Sequence, residues 1–409
     1  VKKNFVLSLL IIFTSPLICL AEAQLELADQ EVSMPSVKRI RVLLEEHAAN
    51  KESKFIVKSR HGFVIESPAD SENTALYQEK ELRLVCKNNR LYLKCHDDQY
   101  RRIKYDSIEI CDPHHKLTLG GVTYQGSLTF RVDEKNNSLL VINKLPLEDY
   151  VYSVVRYEGI PSWPLGMQKV QAIISRTYAV FLMQQARVKN PRYKYYDIKN
   201  TNLHQVYNGT HNYTHLRQAI DETQNLILTY KGHIALTMFD ICCGGSTPGL
   251  MRQKDTSKPY LCRKEPCPYC KSSPNYQWKI DLHAKSFLQQ LKAQSFLSKR
   301  LNTFKGEISD VKIVDIDKAG IVQKVKIYDK NKKGYSLTGN AVRSIQPNKI
   351  KSLSFSIKKI RDRIVISGKG YGHQRGACQW GCKELVCRGW SIKSILNFYY
   401  PGTKLSRLL

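Results

Sequence analysis

Acidic residues are scarce in this chain. Its 409 residues include only 36 Asp and Glu against 64 Lys and Arg, a formal charge of +28. The imbalance points to an anionic partner, whether nucleic acid, an acidic lipid surface or an acidic polymer. The basic residues are spread along the chain, so charge alone does not choose among these or exclude a merely solvated basic surface. A second long apolar run is also missing. Beyond the first 20 residues no stretch is long and apolar enough for a membrane-spanning helix. There is no internal repeat of solenoid type and no low-complexity linker. Hydrophobic residues make up 42% of the chain, enough for a real core, which excludes wholesale disorder. The length suggests two or three domains, or one domain with insertions.

The first residues set the compartment. Lys2 and Lys3 precede an apolar stretch from Phe5 to Leu20, and Ala21-Glu22-Ala23 fits a small-residue cleavage site. Residues 1–23 are therefore expected to be a signal peptide, with the mature chain starting at Gln24 and exported to the periplasm or cell envelope. Membrane contact is expected only if this leader stays uncleaved, and nucleic acid is not an expected partner. Twelve cysteines are present. Cys19 would leave with the leader, and disulfides are the default for the remaining odd number in an exported protein.

Residues 24 to about 59 read as helix-prone and charged, although Arg39 to Glu45 fits an amphipathic element or an opening strand equally well. From about Lys54 to Phe130 the pattern is β-like. Leu82–Val85 and Leu91–Leu93 flank the turn Lys87-Asn88-Asn89-Arg90, with Cys86 and Cys95 placed for a local disulfide. The period then changes. Leu147, Tyr150, Val151, Val154 and Val155 mark one face of a helix, with Pro146 at its start and Glu148 and Asp149 in its first turn. A loop from Tyr157 to Trp163 follows. Ser162 is placed to cap a second helix with Pro164 in its first turn, and Val170, Ile173, Ile174, Thr177 and Phe181 form its buried stripe. Lys169 and Arg176, seven residues apart, fall on its polar face with Gln168 and Ser175. Leu226–Thr237 reads as a hairpin turning at Lys231-Gly232. Short strands follow between Ile308 and Ile366, and a short helix over Ser391–Tyr400. The fold class is α+β, a helical core packed against antiparallel sheet with β-rich flanks.

Five blocks carry chemistry. Pro146-Leu147-Glu148-Asp149-Tyr150 leads through Val154-Val155-Arg156-Tyr157-Glu158 to Ser162-Trp163-Pro164. Lys169-Val170-Gln171-Ala172 and Ser175-Arg176-Thr177-Tyr178-Ala179 continue it. His204-Gln205-Val206-Tyr207 and Cys243-Gly244-Gly245-Ser246-Thr247 follow. Gly370-Tyr371-Gly372-His373, Gly376, Gln379-Trp380-Gly381 and Tyr399-Tyr400-Pro401-Gly402 complete the set. In this order, over roughly residues 121–409, they resemble the stage II sporulation protein D family of lytic transglycosylases. That likeness divides the chain into residues 1–23, an N-terminal region 24–120, and a catalytic region 121–409 with a β-rich segment at about 300–366.

The resemblance implies that Glu158 is the catalytic acid/base. It implies a glycan-strand substrate, peptidoglycan stripped of stem peptides, cleaved to 1,6-anhydromuramic ends. Lys169, Arg176 and Arg375 are candidates for the exposed lactyl carboxylates. Gln171, His204, Gln205, Tyr207, His373, Gln379 and Tyr400 are candidates to bind substrate. The alternative is a non-catalytic glycan-binding protein that enhances a partner amidase. This sequence departs from the family where Gly159-Ile160 replace Met-Pro and Gln374-Arg375 replace Gly-Val. Lys199, Leu203 and His204 occupy the positions of a zinc site found in some members, so that site is expected to be absent, and no cofactor or metal is expected. Cys262, Cys267 and Cys270, with Cys242 and Cys243 upstream, contain a C-x2-C spacing that suits either zinc or disulfides. Disulfides are the expectation, with Cys243 joined to Cys267 or Cys270.

Overall fold

The computed structural model describes residues 30–32, 39–67, 70–94, 99–189, 194–201, 204–253 and 255–408. The expected leader and the Gln24 start lie outside them, as do Cys95 and Leu203. The structure is α+β, and its described residues form three large hydrophobic cores and a small fourth cluster of Leu43, Leu140, Ile142 and Tyr196.

The first core lies under an 11-stranded sheet. Its central strands run in the order Arg39–Ala48, Ser138–Pro146, Val122–Asp133 and Ser107–Leu119, paired antiparallel. Ile40 and Val42 of Arg39–Ala48 turn into this core, while Leu43 is buried in the small cluster with Leu140 and Ile142. The helical tendency expected for residues 24 to 59 is therefore overturned where the chain is described. Gln30–Val32, Arg39–Ala48 and Ser53–Lys58 are all strands. Sheet partners far along the sequence outweigh a weak local propensity there. The boundary expected near residue 120 falls at the Gly120-Gly121 turn between two paired strands, so one sheet serves both regions. The turn at Asn88 and Asn89 forms as expected, both with positive φ, the geometry of a two-residue hairpin.

Two helices lean on this sheet. Leu147–Glu158 buries Leu147, Tyr150, Val151, Val154 and Val155 as its periodicity requires. It runs two residues further than expected, so Tyr157 and Glu158 form its last turn rather than a loop. The long helix Leu165–Lys189 starts after Pro164, whose carbonyl accepts from the amides of Met167 and Gln168. Pro164 thus occupies the capping position expected of Ser162. A third helix, Thr214–Glu222, packs on the long one.

The second core gathers Met167, Val170, Ile173 and Ile174 of the long helix with the helices Gln379–Cys387 and Ile392–Tyr399 and a group of buried cysteines. The hairpin at Lys231-Gly232 forms, and Leu226–Tyr230 also pairs with Lys404–Leu408. The third core belongs to residues 278–366, two three-stranded sheets and their short helices. No helix among the described residues is long and apolar enough to cross a membrane.

Candidate active site around Glu158

Glu158 is the last residue of its helix and half-buried. Burial pushes its carboxyl above the usual range, and a hydrogen bond from the Val206 amide to Oε1, at 2.5 Å, only partly opposes this. The carbonyl end of a helix is also a poor place for a negative charge. Among the described residues no lysine or arginine pairs with Glu158 and no second carboxylate acts on its ionisation. Burial pushes the phenols of Tyr150 and Tyr178 up, and the nearby charge of Glu158 adds to both shifts.

Three candidate side chains assemble around it. Gln379 Nε2 donates to the main-chain carbonyl of Glu158 at 2.8 Å and to Gln171 Oε1 at 3.2 Å. Gln171 in turn donates to Ser175 Oγ at 3.1 Å. Gln205 accepts from the buried Tyr150 hydroxyl at 3.0 Å, which holds the next residue's amide against the carboxylate. Trp163 meets Trp380 edge to face at 5.3 Å, so the first and last motif blocks close on each other. The loop carrying Gly159-Ile160 is pinned. Gln168 Nε2 donates to the carbonyls of Ile160 at 2.8 Å, Pro161 at 3.3 Å and Trp163 at 3.4 Å. A Cβ at Gly159 would lie 2.9 Å from the Val155 carbonyl, so a side chain there requires a small shift of the loop.

The other candidates lie elsewhere. The polar face expected for Lys169 and Arg176 is buried. Arg176 is fully enclosed and forks onto Glu148, with Nε and Nη2 at 2.9 and 2.6 Å from its two oxygens. Lys169 pairs with Glu222. Helices Leu147–Glu158 and Thr214–Glu222 bring these carboxylates over the long helix, so both cations hold helices together instead of facing solvent. Tyr207 is buried with its hydroxyl donating to Asn143 Oδ1 at 2.5 Å. His204 turns its Nδ1 to the Lys199 amide at 2.9 Å, and burial lowers its pKa. Tyr400 is enclosed in the second core, donating to the Met238 carbonyl at 2.7 Å. His373 and Arg375 line a different cavity of about 320 Å³ with Arg343 and Asp317. The replacement residue Gln374 sits there at φ 63°, its amide N–H donating to Asp240 at 2.6 Å and its side chain to the Cys243 carbonyl at 2.9 Å.

Sequence reasoning missed several partners of the site. The Val206 amide carries no side-chain signal. Tyr150 read only as a core position, and Tyr178 only as part of a motif. A cleft of about 870 Å³ was also missed. It is lined by Lys58, Arg60, His61, His114, Lys116 and His211. One of its lining residues, His211, has its ring 6.4 Å from that of Tyr157, the residue before Glu158. Its basic groups come from separate strands and loops, so no local pattern announces it.

Among the described residues Cys243 is joined to neither Cys267 nor Cys270, and Cys95, the expected partner of Cys86, lies outside them. Cys243, Cys267, Cys270 and Cys378 are unbridged and lie together in the second core. The thiol of Cys86 is likewise unbridged and points at the Ala49 carbonyl.

Comparison with known proteins returns a consistent set. A family model described as stage II sporulation protein matches residues 135–230, and one described as a domain of unknown function, DUF8618, matches residues 201–376. An uncharacterized protein of Brachyspira hyodysenteriae is 35% identical over 71% of this chain and 74% of its own length. Stage II sporulation protein D of Bacillus subtilis is 27% identical over 65% of this chain and 76% of its own. The amidase enhancer of the same bacterium is 27% identical over 71% of this chain but only 45% of its own length.

Proposed function

This chain belongs to the stage II sporulation protein D family, and on that footing we propose that it is an exported lytic transglycosylase acting on peptidoglycan glycan strands. The observation that carries the reading is the state of Glu158: a half-buried carboxyl with a raised pKa, with neither a cationic partner nor a second carboxylate acting on it among the described residues.

Ordinary glycosidases divide acid and base or nucleophile between two carboxyls. Asp197 and Asp240 are the alternatives for a second one. Asp197 is held by Arg41 at 2.8 Å, and Asp240 is buried beside the cysteines with its pKa well raised. A single carboxyl suffices if the attacking group belongs to the substrate. Glu158, protonated, gives its proton to the glycosidic oxygen as the C1–O bond breaks. As carboxylate it takes the proton of the muramyl 6-hydroxyl, which closes onto C1 of the same sugar. Intramolecular attack needs no positioned water. The Val206 N–H stabilises the carboxylate half of this cycle, and burial favours the acid half. The basic cleft offers sites for lactyl carboxylates on strands stripped of stem peptides.

The test is digestion of stripped glycan followed by mass analysis. Wild type is expected to yield 1,6-anhydromuramic ends. Glu158→Gln is expected to lose about 10²–10⁴-fold in rate while still binding glycan. Reducing ends as the main product would instead mark a hydrolase. The second reading, a glycan-binding partner of a cell-wall amidase, rests on the similarity to an amidase enhancer. It would prevail if wild type cleaves no glycan, and wild type and Glu158→Gln stimulate an amidase equally.

A further inference from the structure

Four cysteines from three distant segments meet in the second core. Cys243 lies in the turn Cys243-Gly244-Gly245, whose glycines both have positive φ. Cys267 precedes and Cys270 ends the single 3-10 turn Pro268–Cys270, and Cys378 directly precedes the helix Gln379–Cys387. Their ligating sulfurs all lie within 4.8 Å of one another, and all four residues are buried. We propose that Cys243, Cys267, Cys270 and Cys378 form a structural zinc site.

The spacing is that of a metal rather than of a covalent bridge. Cys243 Sγ and Cys270 Sγ are 3.7 Å apart. A disulfide would bring them to about 2.0 Å. Four sulfurs bound at about 2.3 Å to one tetrahedral ion stand about 3.8 Å from each other. A cubane iron–sulfur cluster holds its cysteines further apart than this pocket allows. Four thiolates and no open position make a closed site, so the ion acts as a clamp and not as a source of activated water.

The surroundings suit thiolate ligands. The Cys243 amide points at Cys378 Sγ at 3.2 Å, and the Tyr399 hydroxyl lies 3.2 Å from Cys267 Sγ. Such donors are the second shell that stabilises metal-bound sulfur. Four thiolates around a divalent ion leave a net charge of about −2, which a buried site has to offset. The buried guanidinium of Arg263 lies 5.6 Å over the Tyr399 ring and donates to the carbonyls of Ser246 and Glu265. Its Nε finds no hydrogen-bond partner among the described residues. A cation held this way, on carbonyls and over the ring whose hydroxyl meets Cys267, offsets one of those two negative charges.

The clamp would also bear on Glu158. Cys378 is the residue before Gln379, so an ion on Cys378 fixes the start of the helix whose first side chain holds the Glu158 carbonyl. The zinc assignment itself does not depend on the transglycosylase reading.

The experiment is metal analysis of the full chain, purified without chelator, together with thiol counting and cobalt substitution. One zinc per chain is expected. Cobalt in its place should give the intense visible bands and sulfur-to-metal charge transfer of tetrahedral thiolate coordination. Cys267→Ser and Cys378→Ser should lose the zinc, while Cys262→Ser, outside the cluster, should keep it. Should the ligand variants fail to fold, the stoichiometry and the cobalt spectrum of wild type decide the matter. A metal-free native chain, a disulfide between any two of the four cysteines, or iron in place of zinc would each overturn the assignment.

Discussion

The side-chain amide of Gln379 donates to the main-chain carbonyl of Glu158 at 2.8 Å across 221 residues of sequence. That bond ties the last turn of one helix to the first residue of another. It fixes the backbone from which the candidate acid projects, while the carboxyl itself is left to the Val206 amide.

Gln379 therefore acts by positioning. Gln379→Leu leaves the Glu158 carbonyl and Gln171 Oε1 without this donor, and an unsatisfied buried polar group costs about 1–3 kcal/mol. We expect a lowered unfolding midpoint and a fall in kcat with KM little changed. Equal loss of substrate affinity and turnover would instead mark a residue that binds glycan directly.

The raised pKa of Glu158 has two pH signatures. Cleavage needs the protonated form first, so activity should fall as pH rises through the folded-state pKa, with the limb lying above the ordinary glutamate range. In the folded state Glu158 holds its proton more tightly than in the unfolded chain. Stability from this group is thus complete below the unfolded pKa and declines as pH climbs to the raised value. Glu158→Gln should match wild type in melting temperature at acid pH and exceed it near neutrality. An unchanged difference across that range would show that the carboxyl is not raised.

Arg176→Ala should be among the most damaging single changes. Arg176 is fully enclosed and its removal strands Glu148, a loss of about 3–5 kcal/mol for a broken buried pair. Arg176→Lys keeps the charge but not the fork, nor the bond from Nη1 to the Leu226 carbonyl. Its denaturation midpoint should fall between those of Ala and wild type. A well-folded Arg176→Ala with weakened glycan binding would return this arginine to the substrate.

The basic cleft predicts a salt-sensitive contact. Arg60→Glu with Lys116→Glu should weaken binding of anionic glycan at low salt, by roughly 0.2–1 kcal/mol for each exposed pair. The deficit should shrink as salt is added, since charges are screened within about 10 Å at 0.1 M. Binding measured by co-sedimentation with stripped sacculi reads this out. Equal binding at every salt concentration would remove the cleft from the glycan path.

Much of the frame is legible from the sequence because it is local. The periodicity of Leu147 to Val155, the Asn88-Asn89 turn and the Lys231-Gly232 hairpin each encode their geometry within a few residues. Glu158 was found through its motif, not through its spacing. Lys169 and Arg176 look like surface cations because the carboxylates that bury them, Glu222 and Glu148, come from neighbouring helices. Cys267 and Cys270 announce part of the cluster and Cys243 is grouped with them as a bridging partner, but Cys378 comes from far along the chain and gives no such signal. The strands of residues 39–58 are fixed by partners near residues 81–87 and 138–146, beyond the reach of any short window.

The wide separation of contacting segments has a kinetic meaning. The strands Ser107–Leu119 and Val122–Asp133 are neighbours along the chain and can pair early. Thr229 reaches Ser406 across 177 residues, and Cys243 reaches Cys378 across 135. Contacts of such sequence separation close late, because the entropy of a long loop is lost before any bond rewards it. Glu158 acquires its Gln379 brace only at that final docking. A half-folded chain would thus carry the Glu158 carboxyl without its Gln379 brace.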